Sequence, residues 1–222
     1  MTANPFDSAY VGTPPWDIGR PQRAFKELFN EGKLAGRVLD VGCGTGDLAI
    51  FLAGEGLNTW GIDASGLAVK QAAEKARAAQ LDGAVREFAG EISSMNTDGS
   101  AAITLGMADA LNLGALKTSF DTIIDCGFFH ALSDNGRLRY RRSLEAISKP
   151  GTTLHILCFS EHEPNWGGPR RVTQKELRQT FSGGWVVEQI RAARFENLVT
   201  VDGSASWLCS VTYLGSMAPG VN

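Results

Sequence analysis

Glycines alternate with other residues directly after the short apolar run Arg37–Val41, in the pattern Gly-x-Gly-x-Gly at residues 42–46. Such a turn lets a ligand approach the backbone closely, and the helix that follows offers unpaired N–H groups to oxygen atoms. Two carboxylates accompany the turn: Asp40 lies within the run, and Asp63 ends the next strand-like run. A carboxylate in the position of Asp63 can accept hydrogen bonds from both hydroxyls of a ribose. The spacing therefore indicates a loop that binds a cofactor containing a nucleoside.

A dinucleotide is the first competing cofactor. Its fingerprint is Gly-x-Gly-x-x-Gly, in which the third glycine follows the second by three residues. In this chain Gly46 follows Gly44 by two residues, and Asp47 takes the last position of the fingerprint, where an acidic side chain would repel a pyrophosphate. S-adenosylmethionine has no phosphate, and it presents a ribose, a carboxylate, an ammonium and a sulfonium. Because a carboxylate such as Asp40 suits the cationic groups, S-adenosylmethionine is the favoured cofactor.

Short β-rich runs alternate with helical stretches from Arg37 onward, a pattern typical of parallel strands joined by helices. The sequence therefore predicts an α/β fold, a three-layer α-β-α sandwich with a Rossmann-like sheet. Ser65 is a candidate N-cap, and Thr173 with Glu176 forms a capping-box pattern. The last two strands are predicted to form an antiparallel hairpin at the sheet edge. The predicted strands are 37–41, 58–63, about 102–107, 120–125, 153–159, 185–195 and 206–214.

Length, charge and cysteine usage narrow the class of protein. The chain has 222 residues, enough for one α/β domain, and its net charge of −3 argues against a surface built to bind nucleic acid. No apolar run approaches the roughly 18 residues of a membrane span. The first 17 residues are polar and Pro-rich, unlike a secretory signal, and the four cysteines form no Cys-x-x-Cys pair. We expect a single cytoplasmic domain, 1–222, with residues 1–30 as an N-terminal arm and first helix and residues 82–101 as an insertion or lid.

Several further segments match one family in the same order along the chain. The chain resembles the class I S-adenosylmethionine-dependent methyltransferases, and the resemblance covers most of residues 37–160. It implies a seven-stranded, mostly parallel sheet with an antiparallel last strand. It also implies an enzyme that transfers a methyl group from S-adenosylmethionine and releases S-adenosylhomocysteine. The matching segments are Leu39-Asp-Val-Gly-Cys-Gly-Thr-Gly46, Gly61-Ile-Asp-Ala-Ser65, Ala108-Asp-Ala-Leu111, Phe120-Asp-Thr-Ile-Ile-Asp125 and Lys149-Pro-Gly-Thr152.

The resemblance also assigns residues to the parts of the cofactor. The three glycines of the loop would flank its methionine and ribose, and Asp63 would hold the ribose hydroxyls. Asp109 would face the amino group of the adenine, and residues 125–128 would lie beneath the transferring methyl. The full set of expected cofactor-binding residues is Trp16, Asp40, Gly42, Cys43, Gly44, Gly46, Asp63, Ala64, Ala108, Asp109, Ala110, Asp125 and Cys126.

Residues 14–22, 158–161 and 166–172 are similar to the small-molecule branch of this family, which includes thiopurine and tellurite-resistance methyltransferases and enzymes acting on heterocyclic toxins. This likeness implies methyl transfer to an O, N or S atom of a small, ring-containing acceptor. Trp16 is a large apolar residue in a Pro-rich segment and needs a partner surface. The arm is predicted either to fold over the cofactor like a lid or to clasp the outside of the sheet. The segment 82–101 departs from the family pattern.

The segment that leaves the fourth predicted strand holds the candidate catalytic residues His130 and Asp125. We expect His130 to lie in or beside the site and to act as a general base if the acceptor must lose a proton. The alternative is that it caps the next helix. Phe128 and Phe129 are expected to wall an apolar acceptor pocket, with a place in the core as their alternative.

A second candidate segment follows the fifth predicted strand. Its residues Ser160, Trp166 and Arg170 are predicted to bind the acceptor, and the two neighbouring arginines can cover it or hold an anionic group. The alternative is an exposed loop whose arginines pair with nearby acids. His155, in the middle of a predicted strand, is expected to be a core histidine with its hydrogen bonds satisfied.

Other functions stay open at this stage. The acceptor can instead be a sugar hydroxyl, with a divalent metal assisting, and Asp125, His130 and Glu161 are the candidate ligands. A metal is not expected, because no tight ligand spacing is present. A non-catalytic S-adenosylmethionine-binding protein is the third reading. The expected partner is a small-molecule acceptor rather than nucleic acid or a membrane, and the expected state is a monomer or homodimer.

Overall fold

A computed structural model describes residues 6–81, 85–89 and 103–215 of the chain. Short 3-10 turns at Asp7–Val11, Ala110–Leu116 and Phe129–Ala131 connect the longer elements. The helices are α1 Arg23–Asn30, α2 Asp47–Gly54, α3 Gly66–Ala78, α4 Asp134–Glu145 and α5 Gln174–Thr180. The strands are β1 Arg37–Val41, β2 Asn58–Asp63, β3 Val85–Ala89, β4 Ile103–Met107, β5 Phe120–Cys126, β6 Ser148–Phe159, β7 Trp185–Phe195 and β8 Ser204–Tyr213.

The strands form one sheet in the order β3-β4-β2-β1-β5-β6-β8-β7. β8 is antiparallel to both of its neighbours, and the other pairs are parallel. Helices flank the sheet, so the predicted α/β sandwich with an antiparallel last strand is confirmed. The closing hairpin is also confirmed, with β7 at the edge. No helix within the described ranges is long and apolar enough to cross a lipid bilayer.

The described sheet has eight strands, one more than the seven expected. The predicted strand near 102–107 is present as β4. The additional strand is β3, Val85–Ala89, which pairs with β4 in parallel at the sheet edge. It lies inside the segment 82–101, so part of that segment belongs to the sheet, and the role of the segment as an insertion or lid stays a prediction. Residues 82–84 and 90–101 lie outside the described residues.

Local capping signals begin the helices where they were predicted. The Ser65 side chain accepts a hydrogen bond from the Ala68 N–H at the start of α3. At α5, Thr173 and Glu176 form the expected reciprocal capping box. These caps satisfy N–H groups that would otherwise have no partner in the first turn.

The parallel strands bring the ends of β1, β2 and β5 to one edge of the sheet. β1 lies between β2 and β5, and Asp40 pairs in register with Gly61 on one side and Ile124 on the other. Ligands of open α/β sheets bind outside these carboxyl ends. The loop at residues 42–46 therefore begins where the fold places a ligand site.

Candidate active site

A cleft opens at the carboxyl ends of β1, β5 and β7, beneath an N-terminal arm that we define as residues 7–22. Six of the predicted cofactor residues line it: Trp16, Asp40, Gly42, Cys43, Gly44 and Cys126. The lining also includes residues that were not predicted as site residues, namely Tyr10, Asp17, Ile18, Arg20, Pro21 and Gln22 from the arm, Thr45, Asp47 and Leu48 from the loop and α2, and Phe195 from β7. The cleft therefore combines the predicted glycine loop with parts of the chain that are distant in sequence.

The glycines of the loop adopt backbone conformations that other residues rarely reach. Gly42, Gly44 and Gly46 have φ values of 69°, 55° and 82°. A Cβ atom on Gly44 would lie 3.0 Å from the hydroxyl of Tyr10, and one on Gly46 would lie 2.8 Å from the Cβ of Ala72 on α3. The loop thus needs glycine both for its turn and for the close approach of its neighbours.

Asp63, at the end of β2, accepts hydrogen bonds from two backbone segments, the glycine loop and the start of α3. Its Oδ2 accepts from the Gly44 N–H at 2.9 Å, and its Oδ1 accepts from the Ser65 N–H at 2.8 Å. Burial raises the pKa of its carboxyl. Asp63 does not line the cleft, although each carboxylate oxygen can accept a second hydrogen bond. Its contact with a ribose stays a prediction.

Asp40 is the most deeply buried carboxyl that lines the cleft. Burial, with repulsion from Asp125 and Asp63, raises the pKa of Asp40 to about 7. An acid in this state gains most from a nearby cation, because the cation offsets both the desolvation and the repulsion. The site therefore fits the positively charged groups of S-adenosylmethionine.

A cluster of charged and polar groups joins the arm to the glycine loop. The Thr45 hydroxyl donates to Asp17 Oδ2 at 3.0 Å. The ammonium of Lys75 lies 3.0 Å from Asp47 Oδ1 and 3.8 Å from Asp17 Oδ1. One cation thus faces two carboxylates here, and Asp40 adds a third on the same side of the cleft. The excess of negative charge again favours a cationic ligand.

The arm is held at both of its ends. At its start, Asp7 Oδ1 accepts from the Ser65 hydroxyl at 2.5 Å, and Gln71 Nε2 donates to the carbonyl of Tyr10 at 3.1 Å. At its end, Arg20 forms a 2.8 Å ion pair with Glu196, just after β7. The arm thus lies beside the glycine loop and lines the cleft. Its predicted action as a lid over the cofactor stays a prediction.

Asp125 lies at the end of β5, where its carboxyl caps the following turn. Its Oδ1 accepts hydrogen bonds from the N–H groups of Phe128 at 2.9 Å and Phe129 at 3.1 Å. The residue is fully buried, and this burial raises its pKa to about 7. Its Oδ1 thus caps the turn, whereas its Oδ2 is buried without a hydrogen-bond partner among the described residues, and Asp125 does not line the cleft. Its catalytic role stays a prediction. The adjacent Cys126 does reach the cleft.

The geometry of His130 argues against a general base. Its Nδ1 accepts a hydrogen bond from the Phe159 N–H at 3.0 Å, so the neutral ring carries its proton on Nε2 and has no free lone pair. Burial, with repulsion from Arg137 and Arg171, lowers the pKa of His130 to about 3. Its ring packs against those of Phe159 and Phe195. His130 is therefore a buried neutral ring that packs against Phe195 of the cleft but does not line the cleft itself. Its contact with the acceptor stays a prediction.

The predicted aromatic wall is only partly present. Phe129 is fully buried and packs against Phe181 and the guanidinium of Arg137, which corresponds to the alternative that it belongs to the core. Phe128 is partly buried beside Gly42 and does not line the cleft. The phenylalanine that lines it is Phe195, beside Tyr10 and Trp16 of the arm. No local motif marks Phe195, because β7 reaches the site only through the sheet order.

The loop after β6 is held by its own contacts and does not line the cleft. Ser160 is buried and accepts a hydrogen bond from the His162 N–H. The Trp166 indole donates to Glu163. Arg170 pairs with Asp134 and Glu176, as the alternative reading had it. These residues do not contact the site in this arrangement.

The expected adenine region lies beyond β4, outside the cleft lining. Ala108 N–H donates to the carbonyl of Asp63, with Ala64 next in the chain. Asp109 is exposed and accepts from the Leu111 N–H at 2.8 Å, which caps the turn that begins at Ala110. The adenine contacts stay predictions.

Two remaining predictions concern histidine and metal. His155 is buried in β6, and its Nδ1 is hydrogen-bonded to the Ser210 hydroxyl at 2.9 Å, so it is a core residue as expected. Its Nε2 is buried without a hydrogen-bond partner in the described part of the chain, so its hydrogen bonds are not all satisfied as predicted. Glu161 accepts a hydrogen bond from the Trp207 indole. In the part of the chain that the structure describes, no three His, Cys, Asp or Glu side chains come close enough together to hold a metal ion.

Comparison with known proteins agrees with the geometry. The thiopurine S-methyltransferase family matches residues 9–206. A 2-heptyl-1-hydroxyquinolin-4(1H)-one methyltransferase of Mycobacteroides abscessus is 33% identical over 199 residues, which cover 85% of this chain and 79% of the relative. A probable thiol methyltransferase of Arabidopsis thaliana is 28% identical over 172 residues, which cover 77% of this chain and 68% of the relative.

Solved structures share the fold. One from work on the conversion of a disulfide bond into a thioacetal group during echinomycin biosynthesis has a TM-score of 0.77 at 30% identity, over 94% of this chain and 91% of the other. A glycopeptide N-methyltransferase in complex with S-adenosylmethionine has a TM-score of 0.62 at 13% identity. The match covers 89% of this chain and 96% of the other, which shows a common fold. The match over residues 9–206 places this chain in the thiopurine S-methyltransferase family, and it is an S-adenosylmethionine-dependent methyltransferase.

Proposed function

We propose that the enzyme methylates an S, N or O atom of a small, ring-containing acceptor whose reacting group is acidic. The observation that carries this proposal is the mixed lining of the cleft. Asp40 and Asp47, before and after the glycine loop, supply carboxylates, whereas Ile18 and Phe195 supply apolar surface. The carboxylates suit a cationic cofactor, and the apolar surface suits a flat ring.

Bound S-adenosylmethionine supplies an electrophilic methyl group on its sulfonium, so the protein needs mainly to position the acceptor and exclude water. Asp40 and Asp47 orient the cationic part of the cofactor. Residues of the arm between Tyr10 and Gln22 line the cleft, which favours a small acceptor.

The acidity of the acceptor follows from the groups that surround the cleft. Within the described ranges no histidine lines it, and His130 has no free lone pair. Burial raises the pKa of the Cys43 and Cys126 thiols well above their ordinary value, so neither offers a thiolate. An acceptor that ionises by itself near neutral pH, such as a heteroaromatic thiol or an N-hydroxy group, needs no base from the protein.

The relatives favour the same chemistry. The mycobacterial relative is named for an acceptor with an N-hydroxyl group on a quinolone ring, and the plant relative is named for thiols. A sugar hydroxyl is much less acidic and would need a general base. The carboxyls that line the cleft, Asp17, Asp40 and Asp47, are assigned to the arm and to the cationic cofactor, which ranks that alternative lower.

A product assay tests the proposal. Purified enzyme with S-adenosylmethionine is offered N-hydroxyquinolones, heteroaromatic thiols, alkanethiols, phenols and sugars, and both S-adenosylhomocysteine and the methylated product are measured by mass spectrometry. We expect turnover of the acidic ring compounds. Methylation of sugars alone, or binding of the cofactor without turnover of any ring compound, would refute the proposed acceptor class.

A further inference from the structure

Three apolar side chains are exposed within four residues of the loop between β7 and β8. Leu198 is 59% exposed, Val199 is 70% exposed and Val201 is fully exposed. Together with the half-exposed indole of Trp16 on the arm, we call them the apolar lip. Single exposed apolar residues are ordinary on a protein surface, but a group of them beside a cleft marks a place where something apolar binds.

The loop that carries the lip is held in one shape by Asn197. Its Oδ1 accepts hydrogen bonds from the N–H groups of Val199 and Thr200, each at 2.9 Å, and from the Thr200 hydroxyl at 3.1 Å. Its Nδ2 donates to the carbonyl of Phe195 at 3.3 Å. Side-chain bonds of this kind determine the turn locally, so the loop does not depend on burial of its apolar residues. Those residues are available for a ligand.

The lip adjoins the apolar part of the cleft lining. Phe195, three residues before Leu198, lines the cleft, and Leu198 N–H donates to the carbonyl of Pro15 at 2.9 Å, next to Trp16. The loop and the arm therefore meet at the entrance. From residue 197 to residue 201 the loop carries no charged side chain, which suits an aliphatic ligand better than a polar one.

We propose that the apolar lip binds an aliphatic tail on the ring-bearing acceptor, so that the ring lies in the cleft and the tail leaves it between Trp16 and Leu198. This inference rests on the proposed function and specifies the acceptor more closely, as an amphipathic ring compound with an alkyl substituent. A tail of this kind also occurs in the name of the mycobacterial relative's acceptor, which is a 2-heptyl compound.

The test compares two acceptors that differ only in the tail, 1-hydroxyquinolin-4(1H)-one and its 2-heptyl derivative, with the full-length enzyme. Each methylene that is fully buried contributes at most about fourfold to kcat/KM, so several partly buried methylenes give roughly tenfold or more. We expect the heptyl compound to have the higher kcat/KM, mainly through a lower KM. In the double variant Leu198→Ser/Val201→Ser this advantage falls to about threefold or less, and kcat/KM for the compound without a tail stays unchanged.

Leu138→Ser is the matched control, because Leu138 on α4 is 51% exposed and does not line the cleft. It leaves both acceptors unaffected. The proposal is overturned if the tail gives no advantage, if the double variant weakens both acceptors equally, or if it changes the oligomeric state in sedimentation, which would make the lip a contact between copies. Failure of the proposed function gives a different result, because neither compound would then be methylated at all. That result would also refute the binding of a tail by the lip.

Discussion

Gln22 and Glu196 exchange two hydrogen bonds across the entrance of the cleft. Gln22 Nε2 donates to the backbone carbonyl of Glu196, and the Glu196 N–H donates to Gln22 Oε1, each at 2.8 Å. Gln22 is buried, although the arm around it is largely at the surface. The amide side chain thus pairs with the backbone beyond β7 as a neighbouring strand would, and it ties the arm to the wall that contains Phe195.

Removal of this pair should loosen the arm. Gln22→Ala removes two partly buried hydrogen bonds, each contributing about 0.5–1.5 kcal/mol, so we expect S-adenosylmethionine to bind about tenfold more weakly. Calorimetric titration measures the affinity, and limited proteolysis within residues 7–22 reports arm opening. Gln179→Ala, at an exposed position of α5, is the control and should change neither. An unchanged affinity together with faster cleavage of the arm would show that the arm does not hold the cofactor.

Cofactor affinity should depend on pH through Asp40. Its pKa is raised to about 7 by burial and by repulsion from Asp125 and Asp63, so the free enzyme is largely protonated there below pH 7. A cationic cofactor favours the ionised carboxyl, so binding releases a proton and its affinity rises with pH up to about 7. Below that value we expect up to about tenfold weaker binding per pH unit. In Asp40→Asn the pH dependence is lost and binding is weak throughout.

Titration calorimetry at pH 5.5, 6.5 and 8.0, repeated in buffers of different ionisation enthalpy, counts the protons released. Asp121→Asn is a suitable control, because the pKa of Asp121 is lowered by its contact with Lys149, far from the cleft. A wild-type affinity that does not vary over this range would contradict the assigned role of Asp40.

Asp125 should make the folded protein less stable as pH rises. Its pKa is raised from 3.8 to about 7 in the folded state, so the folded protein holds a proton that the unfolded chain has lost between these values. The free energy of unfolding therefore falls with rising pH, by about 1.4 kcal/mol per pH unit at most for this group. Asp125→Asn keeps an oxygen to accept from the Phe128 and Phe129 N–H groups but does not ionise.

We expect this variant to be more stable than the wild type at pH 8, and the difference to shrink toward pH 4. Urea unfolding at several pH values measures it. The difference between variant and wild type is the right quantity, because His130 and His155, whose pKa values are lowered by burial, act in the opposite direction in both proteins. A variant that is less stable at pH 8 would mean that the ionised carboxyl stabilises the turn.

Replacement of His130 should leave the pH dependence of kcat/KM in place. His130→Asn keeps an oxygen near Nδ1 to accept from the Phe159 N–H, and it costs a few kcal/mol of stability at most, through lost packing against Phe159 and Phe195. We expect kcat to fall by less than about tenfold. The pH at which kcat/KM is half-maximal should follow the pKa of the acceptor when acceptors of different acidity are compared.

Steady-state kinetics at 15–37 °C, within the range where the variant stays folded, give both quantities. A loss in kcat of a hundredfold or more, with the acid limb of the pH profile abolished for every acceptor, would restore His130 as the general base.

The local motifs could be predicted because their physics is contained in a few consecutive residues. The turn at residues 42–46, with Asp40 before it, requires glycine conformations, a preceding strand and a following helix. Each of these is indicated by residues next to one another in the sequence. The same holds for the Ser65 cap and the Thr173–Glu176 capping box, whose hydrogen bonds span three residues.

The roles of most other site residues depended on packing between distant segments. Phe195 reaches the cleft because of the position of β7 in the sheet, and Gln22 is recognised only through Glu196, which is 174 residues away. His130 has the residue type of a base, yet the Phe159 N–H, 29 residues further on, occupies its lone pair. Residue type and spacing alone determined that this chain binds a nucleoside-type cofactor on an α/β sheet. Burial and hydrogen-bond partners decide which of its side chains keep free atoms for the acceptor, and these depend on tertiary contacts that no local pattern encodes.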